Sequence, residues 1–152
     1  MLPKYHIVLG FILSLVFFLI FPNIKLIEAG IIFLSSFLID ADHYIYYILN
    51  KKSINPINAI NYFLIKRKKL GKMSIKKSNE FYSGFYFLHG IEILIILLIA
   101  GIFLSKYFLL IFMGFAFHLF LDLLEEIYKG IRLDKISVIY DWFKYKKLKF
   151  LE

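Results

Sequence analysis

Apolar residues gather into four long stretches, about residues 5–21, 28–49, 83–104 and 107–128, separated by polar connections. A segment embedded in lipid must satisfy its own backbone hydrogen bonds, so runs of this length predict helices. About 20 residues cross a bilayer, and only the first run falls short, which predicts little tilt or local thinning there. That run follows Lys4 as the apolar part of a signal peptide would. Phe21-Pro22-Asn23-Ile24 offers no small-x-small cleavage site, however, so the expectation is a retained membrane helix. With 61% of 152 residues hydrophobic, against about half in soluble domains, the pattern predicts an all-α fold. Its expected form is a four-helix transmembrane bundle, residues 1–152 making a single integral membrane domain.

The connections differ sharply in charge. Residues 50–82 hold Lys51, Lys52, Lys66, Arg67, Lys68, Lys69, Lys72, Lys76 and Lys77, and the tail holds Lys129, Arg132, Lys135, Lys144, Lys146, Lys147 and Lys149. The two short opposite connections hold only Lys25 and Lys106. The positive-inside rule then places both termini and the long loop in the cytoplasm, at the inner (plasma) membrane, and an even number of spans agrees. Asn55-Pro56 reads as an N-cap and first helical residue. Ile57, Ile60, Phe63 and Leu64 follow as the apolar face of an interfacial amphipathic helix. The tail from Asp134 repeats this with Ile136, Ile139, Tyr140 and Phe143, and with Trp142 near the interface. A net charge of +8 confined to loop and tail suits membrane lipids with anionic headgroups; no separate basic module stands apart to grip nucleic acid. The chain contains no cysteine, so disulfides and thiolate metal sites are excluded.

Inside the apolar runs lie polar residues that lipid should reject. His6 opens the first run, Asp40, Asp42 and His43 lie in the second, His89 and Glu92 in the third, and His118 and Asp122 in the fourth. Four unpaired carboxylates would cost on the order of 10 kcal/mol in lipid, and no lysine or arginine lies within the runs to offset them. A cation would, and imidazole with carboxylate is a common ligand set. Counted along ideal helices, His43, His89 and Asp122 each fall about 9 Å below the cytoplasmic boundary, with His118 one turn deeper. Spacings of three or four residues put His89 with Glu92, His118 with Asp122, and Asp40 with His43 on shared helix faces. Asp42 is turned by about 100° from His43, towards a second ligand position or a supporting role. One histidine in a membrane helix is more often a packing residue than a ligand; four histidines with four acids in one slab favour a metal site. Glu125 and Glu126 read as solvated residues at the cytoplasmic end, and the many aromatic residues as lipid-facing bulk and interface anchors.

The motifs, in this order, resemble the inner-membrane-bound metal-dependent hydrolase family, some of whose members are described as LexA-binding. Its early His-x-x-x-Gly is matched by His6 and Gly10. Its Pro-Asp-x-Asp-His block is matched by Ile39-Asp40-Ala41-Asp42-His43, with isoleucine in place of proline. A Phe-x-His-x-x-Glu form found in some relatives is matched by Phe87, His89 and Glu92, and Gly-x-x-x-His-x-x-x-Asp by Gly114, His118 and Asp122. The resemblance runs from His6 to about Asp122. It lacks the family's extra His-Arg pair, hence one ligand and one phosphate contact, and the proline-rich segment after the last aspartate. The family's motifs are similar in style to those of zinc-dependent phospholipase C, which implies phosphoester hydrolysis.

Together these readings give a site for one or two divalent cations, held by His6, Asp40, Asp42, His43, His89, His118 and Asp122. Zinc leads through its preference for imidazole, with manganese and iron compatible. Glu92, or whichever of Asp40 and Asp42 is not a ligand, would be the general base. A shallow cytoplasmic site suits an ester bond at a lipid headgroup. Two other classes stand beside this one: a metal or proton transporter or relay, since intramembrane acids and histidines also mark ion paths, and a non-catalytic scaffold with a structural metal. The absence of matching polar groups in the outer halves of the runs speaks against transport.

Overall fold

A computed structural model describes residues 3–78, 80–82, 84–130 and 136–150. The tail positions Arg132, Asp134 and Lys135 lie outside the described residues. Among the described residues the regular structure is helical apart from one two-residue parallel strand pair, β1 (Phe81–Tyr82) with β2 (Lys149–Phe150). It divides into two compact units, residues 1–40 with 91–125, and residues 41–90 with 126–152.

The first unit is built from α1 (Pro3–Ile20), α2 (Leu26–Leu38), α6 (Ile91–Phe103) and α7 (Lys106–Tyr128). Among the described residues, only α1 and α7 are long and apolar enough to cross a membrane; at 13 residues each, α2 and α6 reach about 20 Å. The helices α1 and α7 bury the same kind of stripe, one residue per turn: His6, Gly10 and Ser14 on α1, and Gly114, His118 and Asp122 on α7. Their large apolar residues, such as Val8, Phe11, Leu19 and Phe120, are exposed instead. A soluble helix does the reverse.

Close approach of α1 and α7 to α2 depends on the two stripe glycines. A Cβ at Gly10 would stand 1.8 Å from Ser36 Oγ, and one at Gly114 would stand 1.9 Å from Ser35 Oγ and 2.7 Å from the Ile32 carbonyl oxygen. Small residues at such positions let helix backbones meet where no hydrophobic effect drives them together. Gly101 serves α6 and α7 in the same way, against Leu109. At the turns of this unit, Lys106 pairs with the buried Glu28 at 2.5 Å, and Glu28 also accepts from the Lys25 N–H at 2.9 Å.

The expected helix over 28–49 is broken. It stops at Leu38 and restarts as α3 (Ala41–Lys51), although neither proline nor glycine is present to stop it. In an unbroken helix the Asp40 N–H would bond to the carbonyl of Ser36. That carbonyl accepts instead from His118 Nδ1 at 2.8 Å, and the Asp40 N–H turns to Phe37 O at 3.1 Å. Ser35 and Ser36 hydroxyls also bond back to carbonyls of the preceding turn, which loosens a helix locally.

The expected helix over 83–104 begins only at Ile91. Residues 84–90 are an irregular segment of the second unit, opened by Gly84 at φ 149°, a conformation side chains rarely allow. His89 therefore precedes α6 and does not share a helix face with Glu92, and counting helical rise does not set its depth.

The second unit holds α3, α4 (Pro56–Gly71), α5 (Ile75–Ser78), the strand pair and α8 (Val138–Lys147). Asn55 caps α4 as its sequence predicts, accepting from the N–H groups of Ile57 and Asn58, with Pro56 in the first turn. Ala59, Tyr62, Phe63 and Lys66, spaced by three and four, form the inner face of α4 with Tyr46, Tyr47 and Tyr86 around them. Ile57, Ile60 and Leu64 form its exposed apolar face. Phe63 thus belongs inside and not with the outer face. On α8, Ile139, Tyr140 and Phe143 are exposed as expected, and Ser137 caps the helix through the Tyr140 N–H.

Candidate metal centre

In the first unit the α1 and α7 stripes meet at their histidines. The imidazoles of His6 and His118 stack with centroids 3.7 Å apart and planes 16° from parallel. Both are essentially fully buried, at 1% and 0% exposure. His6 Nε2 lies 3.1 Å from Asp122 Oδ1, a distance a shared proton spans. His118 Nε2 lies 3.7 Å from Asp122 Oδ2 and 3.6 Å from Asp40 Oδ1.

The tautomer of His118 follows from its other nitrogen. A backbone carbonyl only accepts, so the Nδ1 facing Ser36 O carries hydrogen, and in the neutral ring Nε2 carries the lone pair. That lone pair shares its surroundings with two carboxylates, which are also acceptors. Acceptors gathered this closely call for a cation or protons among them. Ligand atoms of His6, His118 and Asp122 lie within 4.8 Å of one another, so the three could hold a metal ion. The donor set fits: two imidazoles and one carboxylate, with a histidine fixed from behind by a carbonyl, suit a divalent borderline metal.

The second unit carries the rest of the predicted set. Asp42, at 1% exposure, accepts through one oxygen from the Leu88 N–H and from His89 Nδ1, both at 2.9 Å. The carboxylate thereby shapes the 84–90 segment and, by accepting the Nδ1 hydrogen, leaves the buried far nitrogen of His89, Nε2, as the lone-pair atom of the neutral ring. This is the supporting role that its offset from His43 allowed. His43 meets His89 edge to face at 4.9 Å and lies 3.9 Å from the Tyr86 ring, with Phe63 on its edge at 5.2 Å.

So the first unit gathers His6, Asp40, His118 and Asp122, and the second gathers Asp42, His43 and His89. Glu92 stands half-buried in the first turn of α6. Ser36 went unnoticed in the sequence, although its carbonyl sets the His118 tautomer. Its one signal was the adjacent hydroxyl pair Ser35-Ser36 in an otherwise apolar run. Lys66 was also missed as a buried residue, because a lysine within a basic stretch reads as solvated. No family model, curated protein or solved structure matches this chain.

Proposed function

We propose that this chain is a multi-pass membrane protein of the metal-dependent hydrolase type, cleaving a phosphoester of a lipid at the cytoplasmic leaflet. The observation that carries the reading is the His118 arrangement: a ring locked by Ser36 with its lone pair beside Asp40 and Asp122, and stacked on His6. The reversed packing of α1 and α7, small and polar inside and apolar outside, supports a lipid surround.

In this reading His6, His118 and Asp122 hold a divalent cation, zinc first among the candidates. The cation would supply Lewis acidity towards a phosphoryl oxygen and acidify water. Ser36 holds the His118 ring in its ligand tautomer, and Asp42 does the same for His89. Asp40, next to His118 Nε2, and Glu92 are the carboxylates assigned to receive a proton from the attacking water. The apolar walls keep bulk water from the buried imidazoles, which strengthens every charge interaction among them.

A second reading has its own observation. His6 with Asp122 and His89 with Asp42 already lie at hydrogen-bond distance, an arrangement that also serves a non-catalytic scaffold. Metal analysis of purified protein, followed by release of phosphate from phospholipid in detergent micelles, separates the two. The hydrolase reading expects bound metal, turnover without a gradient, and loss of turnover on chelation. Metal flux into sealed vesicles without phosphate release would replace it with a transporter, and neither activity would leave the scaffold.

A further inference from the structure

Lys66 lies on the inner face of α4 at 6% exposure. Its ammonium donates to the Tyr62 hydroxyl at 3.2 Å and stands 5.2 Å and 5.4 Å from the ring centroids of Tyr62 and Tyr46. Lys51, from the end of α3, stands over the same Tyr62 ring at 5.3 Å. Two ammonium groups thus share one aromatic platform, and Lys69 is close enough to repel Lys66. Among the described residues no carboxylate lies within ion-pair distance of the Lys66 ammonium. Ring faces and one hydroxyl compensate a buried cation only in part, and an ammonium has three hydrogens to donate. Burial first, then the charges of Lys51 and Lys69, pull its pKa down to about 8, so at neutral pH the cation persists under strain. What is missing from such a cluster is an acceptor of negative charge.

We propose that Lys66 and Lys51, on the Tyr62–Tyr46 platform, bind a phosphate group. Its recognition is by point charge and hydrogen bond, which lysine provides as well as arginine where bidentate geometry is not required. Phosphate is favoured over a carboxylate because it carries more negative charge and more acceptor oxygens to set against the clustered positive charge of Lys66, Lys51 and Lys69. The group can arrive as free phosphate or on a lipid headgroup; the exposed apolar face of the same helix, Ile57, Ile60 and Leu64 on the side away from Lys66, suits a helix lying at a lipid surface, which favours the headgroup. The inference does not depend on a metal or on hydrolysis.

The test is titration of the full chain, in a neutral detergent, with inorganic phosphate, dioctanoyl phosphatidate and dioctanoylglycerol, read by calorimetry and by the shift in unfolding temperature. Both phosphate-bearing ligands are expected to bind, phosphatidate the more tightly, and dioctanoylglycerol to produce no shift. Lys66→Met and Lys51→Met should each weaken phosphatidate binding about tenfold or more. Lys66→Arg, which keeps the charge, should retain most of it. Lys4→Met, at a lysine that stands on the exposed Tyr5 ring, should bind as the parent does. Without ligand, Lys66→Met should unfold at a higher temperature than the parent, because it removes an uncompensated buried charge. Equal phosphatidate affinity in the parent and Lys66→Met would overturn the proposal. So would binding of dioctanoylglycerol as tight as that of phosphatidate, or no binding of either phosphate ligand. Failure of this test leaves the metal site untouched, since metal content is measured separately.

Discussion

A single methyl group at Gly114 should do more harm than any other change of that size in α7. The Cβ would meet Ser35 Oγ at 1.9 Å, the Ile32 carbonyl oxygen at 2.7 Å and the Ser36 nitrogen at 2.8 Å. The hydroxyl can rotate away, but the other two atoms are backbone, so α2 and α7 must separate by several tenths of an ångström. Overpacking of this kind costs about 1–3 kcal/mol. The same separation stretches the 2.8 Å bond from His118 Nδ1 to Ser36 O, and leaving such a buried donor poorly met costs about 1–3 kcal/mol more. Better helix propensity returns about 1 kcal/mol. The net expectation for Gly114→Ala is a loss of about 1–5 kcal/mol, which for a chain of this length lowers the unfolding temperature by roughly 3–15 °C. Gly30 is the matched control, since a Cβ there meets nothing within 4 Å, and Gly30→Ala should be neutral or stabilising. Gly10→Ala adds a finer test. Its closest clashes, 1.8 and 2.8 Å, are with the Oγ and Cβ of the Ser36 side chain, so Ser36→Ala, which removes the Oγ and keeps the Cβ, should recover part of its loss, whereas Ser35→Ala should recover little of the loss at Gly114. Thermal unfolding in detergent, followed by tyrosine and tryptophan fluorescence, measures all five variants. Equal unfolding temperatures for Gly114→Ala and Gly30→Ala would refute the argument that backbone contact at Gly114 sets the helix spacing.

Other expectations follow from the same geometry. His118→Ala and Asp122→Ala should lose bound metal by elemental analysis, while Glu125→Ala should keep it; equal content in all three would refute the ligand assignment. Asp42→Asn should weaken metal binding by about 10–100-fold if His89 is a ligand, because it loosens the ring and the Leu88 N–H without removing a donor nitrogen; unchanged affinity would leave Asp42 as a packing residue. Glu92→Gln should lower turnover about 10²–10⁴-fold with metal content little changed if Glu92 is the general base, and full activity would pass that role to Asp40. Lys66 binds fewer protons when folded than when unfolded between about pH 8 and its unfolded value near 10.4, so stability should rise with pH across that window. Lys66→Met should flatten that rise and add about 2 kcal/mol at pH 7, after allowance for solvent screening; an unchanged slope would place the titration elsewhere.

Local chemistry was legible where its cause lies within a few residues. The Asn55-Pro56 start of α4 needed only a carboxamide two and three residues before two free N–H groups, and the structure has it. Long apolar runs predicted α1 and α7, because length and hydropathy are properties of the run itself. The spacing of His118 and Asp122 likewise survives intact, both facing inward from one helix. Where the expectation failed, a distant partner intervened. Apolar character alone extended the third helix back to residue 83, but Asp42 claims the Leu88 N–H and the His89 ring, 46 and 47 residues away, and the segment folds around that carboxylate. A four-residue spacing between a motif glycine and a histidine was visible, yet its meaning was not. The glycine marks where α2 comes closest, which only the packing shows.

The break between α2 and α3 is the sharpest case of this kind. Nothing in Phe37-Leu38-Ile39-Asp40-Ala41 forbids a helix, and an isolated peptide of that sequence has every reason to continue one. The carbonyl of Ser36 is contested by two donors, the Asp40 N–H four residues on and His118 Nδ1 82 residues on. The ring takes it, since a buried imidazole N–H left without an acceptor is costly, while the Asp40 N–H can shift by one residue to Phe37 O at little cost. One exchange therefore has three consequences. It ends α2, it fixes which nitrogen of His118 carries the lone pair, and it leaves the Asp40 carboxylate 3.6 Å from that nitrogen. Ligand geometry and chain geometry are the same event here, so a substitution that restores a continuous helix would also unmake the site.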